Sequence, residues 1–352
     1  MSGQYLRELS EAIGISGKED AVRALVLKAI EGHAEQIRID PMGSITAFKP
    51  GTGNSGLRVM VAAHMDEVGF IVTGYDGDGL IRFTSVGGVD DRILPGLRVK
   101  VGDGLIPGVV VWTPIHMNND QDVVRMKSLR IDIGASSKDE AAGKVRKGER
   151  IAFDTRFMEV GEGGRVLRGK AFDDRGGCSL LIDVLQGGPY PVDIYAAFTV
   201  QEEIGLRGAQ VAAQTLRPDV AFILEGTTAN DLPDPSKRPD ELREVNPTAR
   251  MGGGPVLTIL DNSLIVPSHL LAFLRETAEA EGIPYQFKTT PGGGTDGGAI
   301  HQAAGGAQTA VISLPCRYIH SPSAYLLRED YEQALRLIQA VLRRVTPETL
   351  KR

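Results

Sequence analysis

Cysteine is almost missing from this chain: Cys178 and Cys316 are the only two in 352 residues, and each lies inside an apolar stretch. Two such residues exclude a disulfide framework and point to a reducing compartment, with both thiols read as buried and structural. Tryptophan occurs once and aromatic residues make up 5% of the chain, poor material for a sugar-stacking groove. No apolar run approaches bilayer-spanning length, and the N-terminus Met1-Ser-Gly-Gln-Tyr-Leu-Arg lacks the basic and apolar regions of a secretion signal. Cationic excess is missing too. A formal net charge of −6 offers no basic face to nucleic acid. The expectation is a cytoplasmic, soluble protein with neither a membrane nor a nucleic-acid partner.

Glycine, by contrast, is abundant at 43 residues, and the length exceeds that of most single cores, so two domains are expected. Residues 1–66 read as helix, helix, hairpin and buried strand. Ser16 and Glu19 have the spacing of a capping box, followed by the helical stripe Val22, Leu25, Val26, Ala29 and Ile30. Ile37 and Ile39 alternate with polar neighbours before a turn at Gly43, and 57–63 is a nearly continuous apolar run. From 67 to 165 the texture changes to short β-like runs (70–74, 80–84, 98–101, 109–112, 130–133) between Gly, Asp and Pro turns, as in a small barrel or sandwich. From 166 an α/β alternation resumes. Asp173 and Asp174 open a helix, strands 192–200 and 219–224 end at Glu202 and Glu225, and helices are expected at 267–282 and 295–304. The fold class is therefore α/β, a mostly parallel mixed sheet flanked by helices. A catalytic domain of 1–66 plus 166–352 carries an inserted all-β, barrel-like domain of 67–165.

Five short polar signatures stand out against this frame: His64-Met-Asp66, Phe-Asp-Asp-Arg (172–175), Gln-Glu-Glu-Ile-Gly (201–205), Leu-Glu-Gly (224–226) and Tyr-Ile-His-Ser (318–321). Most follow or flank a strand-like run, and open α/β sheets place their sites at the carboxyl ends of strands. Imidazoles and carboxylates gathered there suit a hydrolytic metal centre. Asp66 is placed to receive the second ring nitrogen of His64, a carboxylate role that orients a ligating imidazole. For Asp173-Asp174, helix capping and metal bridging weigh equally. Consecutive glutamates at 202 and 203 should point to different sides, one free to bind metal and the other to act as general base. Glu225 and His320 are ambiguous taken singly.

Together the motifs Ala-His-Met-Asp-Glu-Val-Gly (63–69), Lys-Ala-Phe-Asp-Asp-Arg (170–175), Gln-Glu-Glu-Ile-Gly-Leu-Arg-Gly-Ala (201–209), Gly-Gly-Gly-Thr-Asp (292–296) and Arg-Tyr-Ile-His-Ser (317–321) carry a specific resemblance. Over essentially its whole length the chain resembles the tetrahedral aminopeptidases, a family of dinuclear metallopeptidases that includes glutamyl aminopeptidases and proteins labelled endoglucanase. The resemblance implies two divalent ions per subunit, zinc first and cobalt as a substitute. His64 and His320 would be terminal ligands, Asp173 the bridge, and Glu203 and Glu225 one ligand to each ion. Glu202 would be the general base and Asp66 the orienter of His64. Many relatives carry Asp where this chain has Glu225, which leaves that residue's coordination mode open. Short peptides are the implied substrates, and dimers joined through the β insertion into a dodecamer are the implied assembly. Two other classes compete with this reading. A glycosidase using paired carboxylates leaves both histidines unexplained, and a noncatalytic metal-binding scaffold has no use for a base beside the ligands. The preferred N-terminal residue stays open, because the pocket-loop candidate at 227–254 holds Asp231, Asp234, Lys237, Arg238, Arg243 and Arg250, charges of both signs.

Overall fold

Apolar runs decide where the strands lie. A computed structural model describes residues 3–112, 115–117, 124–232, 249–288 and 292–351; Asp234, Lys237, Arg238 and Arg243 lie outside them. Along the chain the strands are β1 (Glu35–Ile39), β2 (Ile45–Lys49), β3 (Arg58–His64), β4 (Gly69–Tyr75), β5 (Ile81–Val86), β6 (Arg98–Val101), β7 (Ile106–Val110), β8 (Ile131–Asp132), β9 (Arg150–Phe153), β10 (Met158–Val160), β11 (Val166–Gly169), β12 (Asp193–Thr199), β13 (Val220–Thr228), β14 (Val256–Thr258), β15 (Gln286–Lys288), β16 (Gln308–Cys316) and β17 (Ala324–Leu327). The helices are α1 (Leu6–Glu11), α2 (Asp20–Ile30), α3 (Lys138–Lys144), α4 (Phe172–Gln186), α5 (Arg207–Leu216), α6 (Ser268–Ala280), α7 (Asp296–Ile300) and α8 (Arg328–Arg344).

The main sheet runs β1-β2-β12-β3-β13-β16-β14-β15. Its centre, β12-β3-β13-β16, is parallel, while β2 and β14 join antiparallel on either side. Such central strands are covered on both faces, which is why β3 reads as unbroken apolar sequence and is buried from Val59 to His64. Strands β4, β5, β8, β7, β6 and β9 close into a barrel with its own core. There Phe70 meets Phe83 and Phe153 edge-on at 5.3 and 5.6 Å. The fold is thus α/β with a closed all-β barrel between β3 and α4. Among the described residues no helix is long and apolar enough to cross a membrane.

Four local expectations are corrected. Ser16 and Glu19 form no capping box: the Ser16 hydroxyl donates to Asp66 Oδ2 at 2.6 Å, and Glu19 accepts from the Gly17 amide. The tertiary partner outbids the local one. Glu225 lies within β13, not at its end, because pairing with β16 continues to Thr228↔Cys316. The helix expected over 295–304 is only α7, followed by a 3-10 turn at Ala303–Gly305 that passes through a left-handed Ala304. Finally, Asp173 (φ −86°, ψ 101°) and Asp174 (φ −126°, ψ 42°) are not helical; regular α4 starts after them. Asp174 Oδ1 then accepts from the Gly177 amide at 2.9 Å, as a helix cap does.

Candidate metal centre

The barrel returns the chain to the sheet so that β3, β12 and β13 end around one cavity of about 980 Å³, lined by Asp173, Glu202, Glu203, Glu225 and His320 among others. His64, at the end of β3, is 1% exposed and reaches the same cluster from beneath. Its Nε2 lies 3.2 Å from Asp173 Oδ1 and 3.4 Å from Glu225 Oε1. His320 Nε2 lies 3.3 Å from Asp173 Oδ2 and 3.3 Å from Glu203 Oε1. One carboxylate therefore turns a different oxygen to each imidazole, and each imidazole has a further carboxylate beside it. Ligand atoms can also be grouped as His64, Asp173, Glu203 and His64, Asp174, Glu225, each within 4.8 Å. The first division fits better, because both Asp174 oxygens already accept backbone amides, from His64 at 3.1 Å and from Gly177. The two aspartates thus take the two roles between which their motif alone did not choose, Asp174 accepting backbone amides and Asp173 facing the imidazoles.

The second nitrogens of both rings are occupied. His64 Nδ1 faces the Asp66 carbonyl at 3.1 Å and the Asp66 carboxylate at 3.4 Å. His320 Nδ1 faces the Gly88 carbonyl, from the barrel side, at 2.9 Å. Asp66 in turn accepts from the Glu202 amide at 2.9 Å and the Glu203 amide at 3.2 Å, tying the end of β3 to the corner after β12. Glu202 lines the cavity but belongs to neither trio.

Backbone geometry is unusual at these places. Ala171, Gln201, Tyr318 and His320 all have φ between 55° and 58°. Each such non-glycine residue costs on the order of 1–3 kcal/mol, strain that typically collects at functional sites. Gly226 is required for a different reason: a Cβ there would sit 2.8 Å from the Cα of Asp173.

Charge at the centre is not balanced by its own side chains. Burial pulls the His64 imidazole down, but Glu225, Asp173 and Asp66 outweigh it and hold the ring well above the histidine range. For His320, burial is likewise overcome by Asp173 and Glu203, which lift it to about 11. Burial pushes Glu202 well above the carboxylate range, Glu225 up to about 8 and Asp296 up to about 6. Asp173 goes the other way, held down by the two imidazoles against its burial. More carboxylates are buried here than two imidazoles can neutralise, and Glu225 Oε2 is buried without a hydrogen-bond partner among the described residues. Mixed N/O donors with an acid excess suit divalent cations.

Residues 43–337 match the M42 glutamyl aminopeptidase family. The chain belongs to that family. It is a peptide hydrolase, an aminopeptidase of a class that works with divalent metals. The lysyl aminopeptidase of Pyrococcus furiosus is 32% identical, covering 98% of this chain and 97% of its own. A TET aminopeptidase from the marine sediment archaeon Thaumarchaeota archaeon SCGC AB-539-E09 superposes with a TM-score of 0.90 at 36% identity, over 99% of this chain and 97% of that one. A Pyrococcus horikoshii TET peptidase that can assemble into a tetrahedron or a large octahedral shell gives 0.84 at 31% identity, over 97% and 99%.

All five residues named as ligands from the sequence meet in this cluster, with Glu202 and Asp66 beside them. Several neighbours were not assigned from sequence. Asp296, bonded by the Thr199 hydroxyl, sits in the Gly-Gly-Gly-Thr-Asp motif that carried no role. Glu67, Lys170 and Arg175 lie inside quoted motifs, so their signal was present. The Gly88 carbonyl had none.

Proposed function

We propose that this M42 peptidase is a dinuclear aminopeptidase releasing N-terminal residues from short peptides. The observation that carries the reading is the shared Asp173, with its two oxygens facing two imidazoles that each keep a further carboxylate. His64, Asp173 and Glu225 would hold one divalent ion, and His320, Asp173 and Glu203 the other. Zinc suits this donor set and cobalt can replace it. When bound, the ions supply Lewis-acid polarisation of the scissile carbonyl and acidify a water toward a pKa of ~7. Glu202 takes the proton of the attacking water and returns a proton to the leaving amine. Asp66 fixes the ring of His64 and, through the Glu202 amide, the base relative to it. Buried carboxylates at the cavity receive the substrate's free α-ammonium, which restricts cleavage to the N-terminus.

Specificity is proposed to reside partly in Lys288, which lines the cavity and is 9% exposed. Its ammonium donates to the Gly292 carbonyl at 3.0 Å, and among the described residues no carboxylate pairs with it. The inserted module, residues 67–165 between the two catalytic segments, is proposed to drive assembly of a dodecamer in the cytoplasm. Trp112, Leu105 and Val109 on the barrel are 55%, 48% and 40% exposed, an apolar surface that a symmetric partner could cover.

The reading is tested with one short peptide in two forms, its N-terminus free or acetylated, with and without chelator. Cleavage of the free form alone, abolished by chelator and restored by zinc, is expected. Equal cleavage of the acetylated form overturns the aminopeptidase geometry.

A further inference from the structure

Three charged residues in the signature motifs take no part in the proposed reaction: Glu67, Lys170 and Arg175. None lines the main cavity. The structure brings them together in the interior, at 2%, 1% and 0% exposure. Lys170 Nζ donates to both Glu67 oxygens, at 2.7 and 2.8 Å, and to the Ala12 carbonyl at 2.8 Å. Arg175 donates to Glu67 Oε1 at 3.3 Å, to the Met65 carbonyl at 2.8 Å and to the Leu9 carbonyl at 2.6 Å. The Gly14 amide adds a bond to Glu67 Oε1 at 3.0 Å, and a Cβ on Gly14 would lie 2.7 Å from the Arg175 guanidinium.

The position of this cluster in the chain gives it a second meaning. Glu67 comes three residues after His64, and Lys170 three before Asp173. The Glu67–Lys170 pair thus joins the two loops whose side chains must meet at His64 Nε2 and Asp173 Oδ1. Between Lys170 and Asp173 the chain passes through the left-handed Ala171, a turn that holds only where its flanks are fixed. Lys170 is fixed at both ends, since its carbonyl also accepts from the Ser10 hydroxyl at 2.7 Å. Arg175, on the far side of Asp173, grips Met65, one residue past His64.

We infer that Glu67, Lys170 and Arg175 form a positioning clamp that sets the separation of His64 from Asp173, and through it the affinity of the centre for divalent ions. The inference rests on the metal reading given above. A clamp of this kind acts as a support behind the ligands, where loss of one partner costs metal affinity and not only stability.

The test uses the whole chain: wild type, Lys170→Met, Glu67→Gln and, as a control, Tyr331→Phe, which removes hydrogen bonds to Ser179 and Asp183 on α4 that no clamp residue shares. Zinc affinity is measured by competition with a chromophoric chelator, together with the melting point of the stripped protein and kcat and KM at saturating zinc. Lys170→Met and Glu67→Gln are expected to bind zinc ~10–100-fold more weakly. At saturating zinc their kcat should fall by ~10-fold or more while KM stays within about threefold, because misplacement by about 1 Å is felt in the chemical step. Tyr331→Phe should lower the melting point and leave zinc affinity unchanged. If Lys170→Met does not fold, the isosteric Glu67→Gln decides. In addition, zinc should slow hydrogen exchange at the Gly14 and Glu67 amides of the wild type more than in the barrel, since coupling between clamp and metal is reciprocal. Folded variants with wild-type zinc affinity and kcat, or a Tyr331→Phe variant that loses as much affinity as they do, would overturn the clamp. A wild type that binds no zinc would instead remove the metal reading itself.

Discussion

Replacing Glu202 by Gln keeps the side chain's shape and removes one proton-accepting oxygen, so it separates holding a metal from moving a proton. Glu203 stands 3.3 Å from His320, whereas Glu202 belongs to neither imidazole–carboxylate trio. The expected outcome for Glu202→Gln is a metal content equal to wild type and a loss of ~10²–10⁴-fold in kcat, the usual weight of a general base. Elemental analysis beside steady-state kinetics reads both. Loss of metal from Glu202→Gln, with retention in Glu203→Gln, would exchange the two roles. At this scale much of the candidate site could be read from the chain, because His64 ends an apolar strand, Glu202, Glu203 and His320 follow apolar strands, and open α/β sheets gather their sites at the carboxyl ends of strands. Asp173 and Asp174 were not told apart by their motif alone; only the family resemblance singled out Asp173. Their difference arises from non-helical backbone at both positions, which leaves one to cap α4 and turns the other toward the imidazoles.

Among the secondary-structure elements, period and composition located β3, β12 and the barrel strands β4, β5, β6 and β8, placed β7 too late and missed β9, while tertiary bonds decided where several elements begin. Ser16 illustrates this: its spacing to Glu19 reads as a cap, but a buried carboxylate 50 residues away is the stronger acceptor. The clamp is a second case, since Lys170 and Glu67 are 103 residues apart and no local pattern reports their pairing. That pairing has a consequence for stability. Burial lowers Lys170 to about 8 from its ordinary 10.5, against the pull of Glu67. Between these values the unfolded chain binds more protons than the folded one, so stability rises with pH across that window. Below about 8 the cost of the buried ammonium is present in full. Denaturant unfolding between about pH 8 and pH 10.5, the window set by this linkage, should therefore show a rising contribution in wild type that Lys170→Met lacks. Identical slopes in the two proteins would remove Lys170 as its source.

For the whole molecule the question is what covers the barrel. Its core is complete, with Phe70, Val99, Ile131 and Ile151 buried, yet Trp112 is left more than half exposed. Assembly through this module was implied by the family resemblance, with the change of sequence texture marking only the module's bounds, since complementarity between copies leaves little periodic trace. The expected state is a large homo-oligomer, and Trp112→Glu should shift it to smaller species while the metal centre stays loaded. Multi-angle light scattering checks this. A monodisperse species near the 37.7 kDa chain mass with full activity would refute the assembly and leave the chemistry untouched.

The central claim is that two divalent ions share Asp173. Titrating zinc into fully stripped protein, with peptide hydrolysis followed at each addition, tests it most directly. Activity should be absent at the start, and binding should end at two equivalents per subunit, with hydrolysis reaching its plateau only as the second fills. Replacement of Asp173 by Asn should weaken both binding steps, because each of its oxygens faces a different imidazole. Full hydrolysis by protein shown to contain no metal, or saturation of activity at one equivalent with no second binding step, would contradict the account.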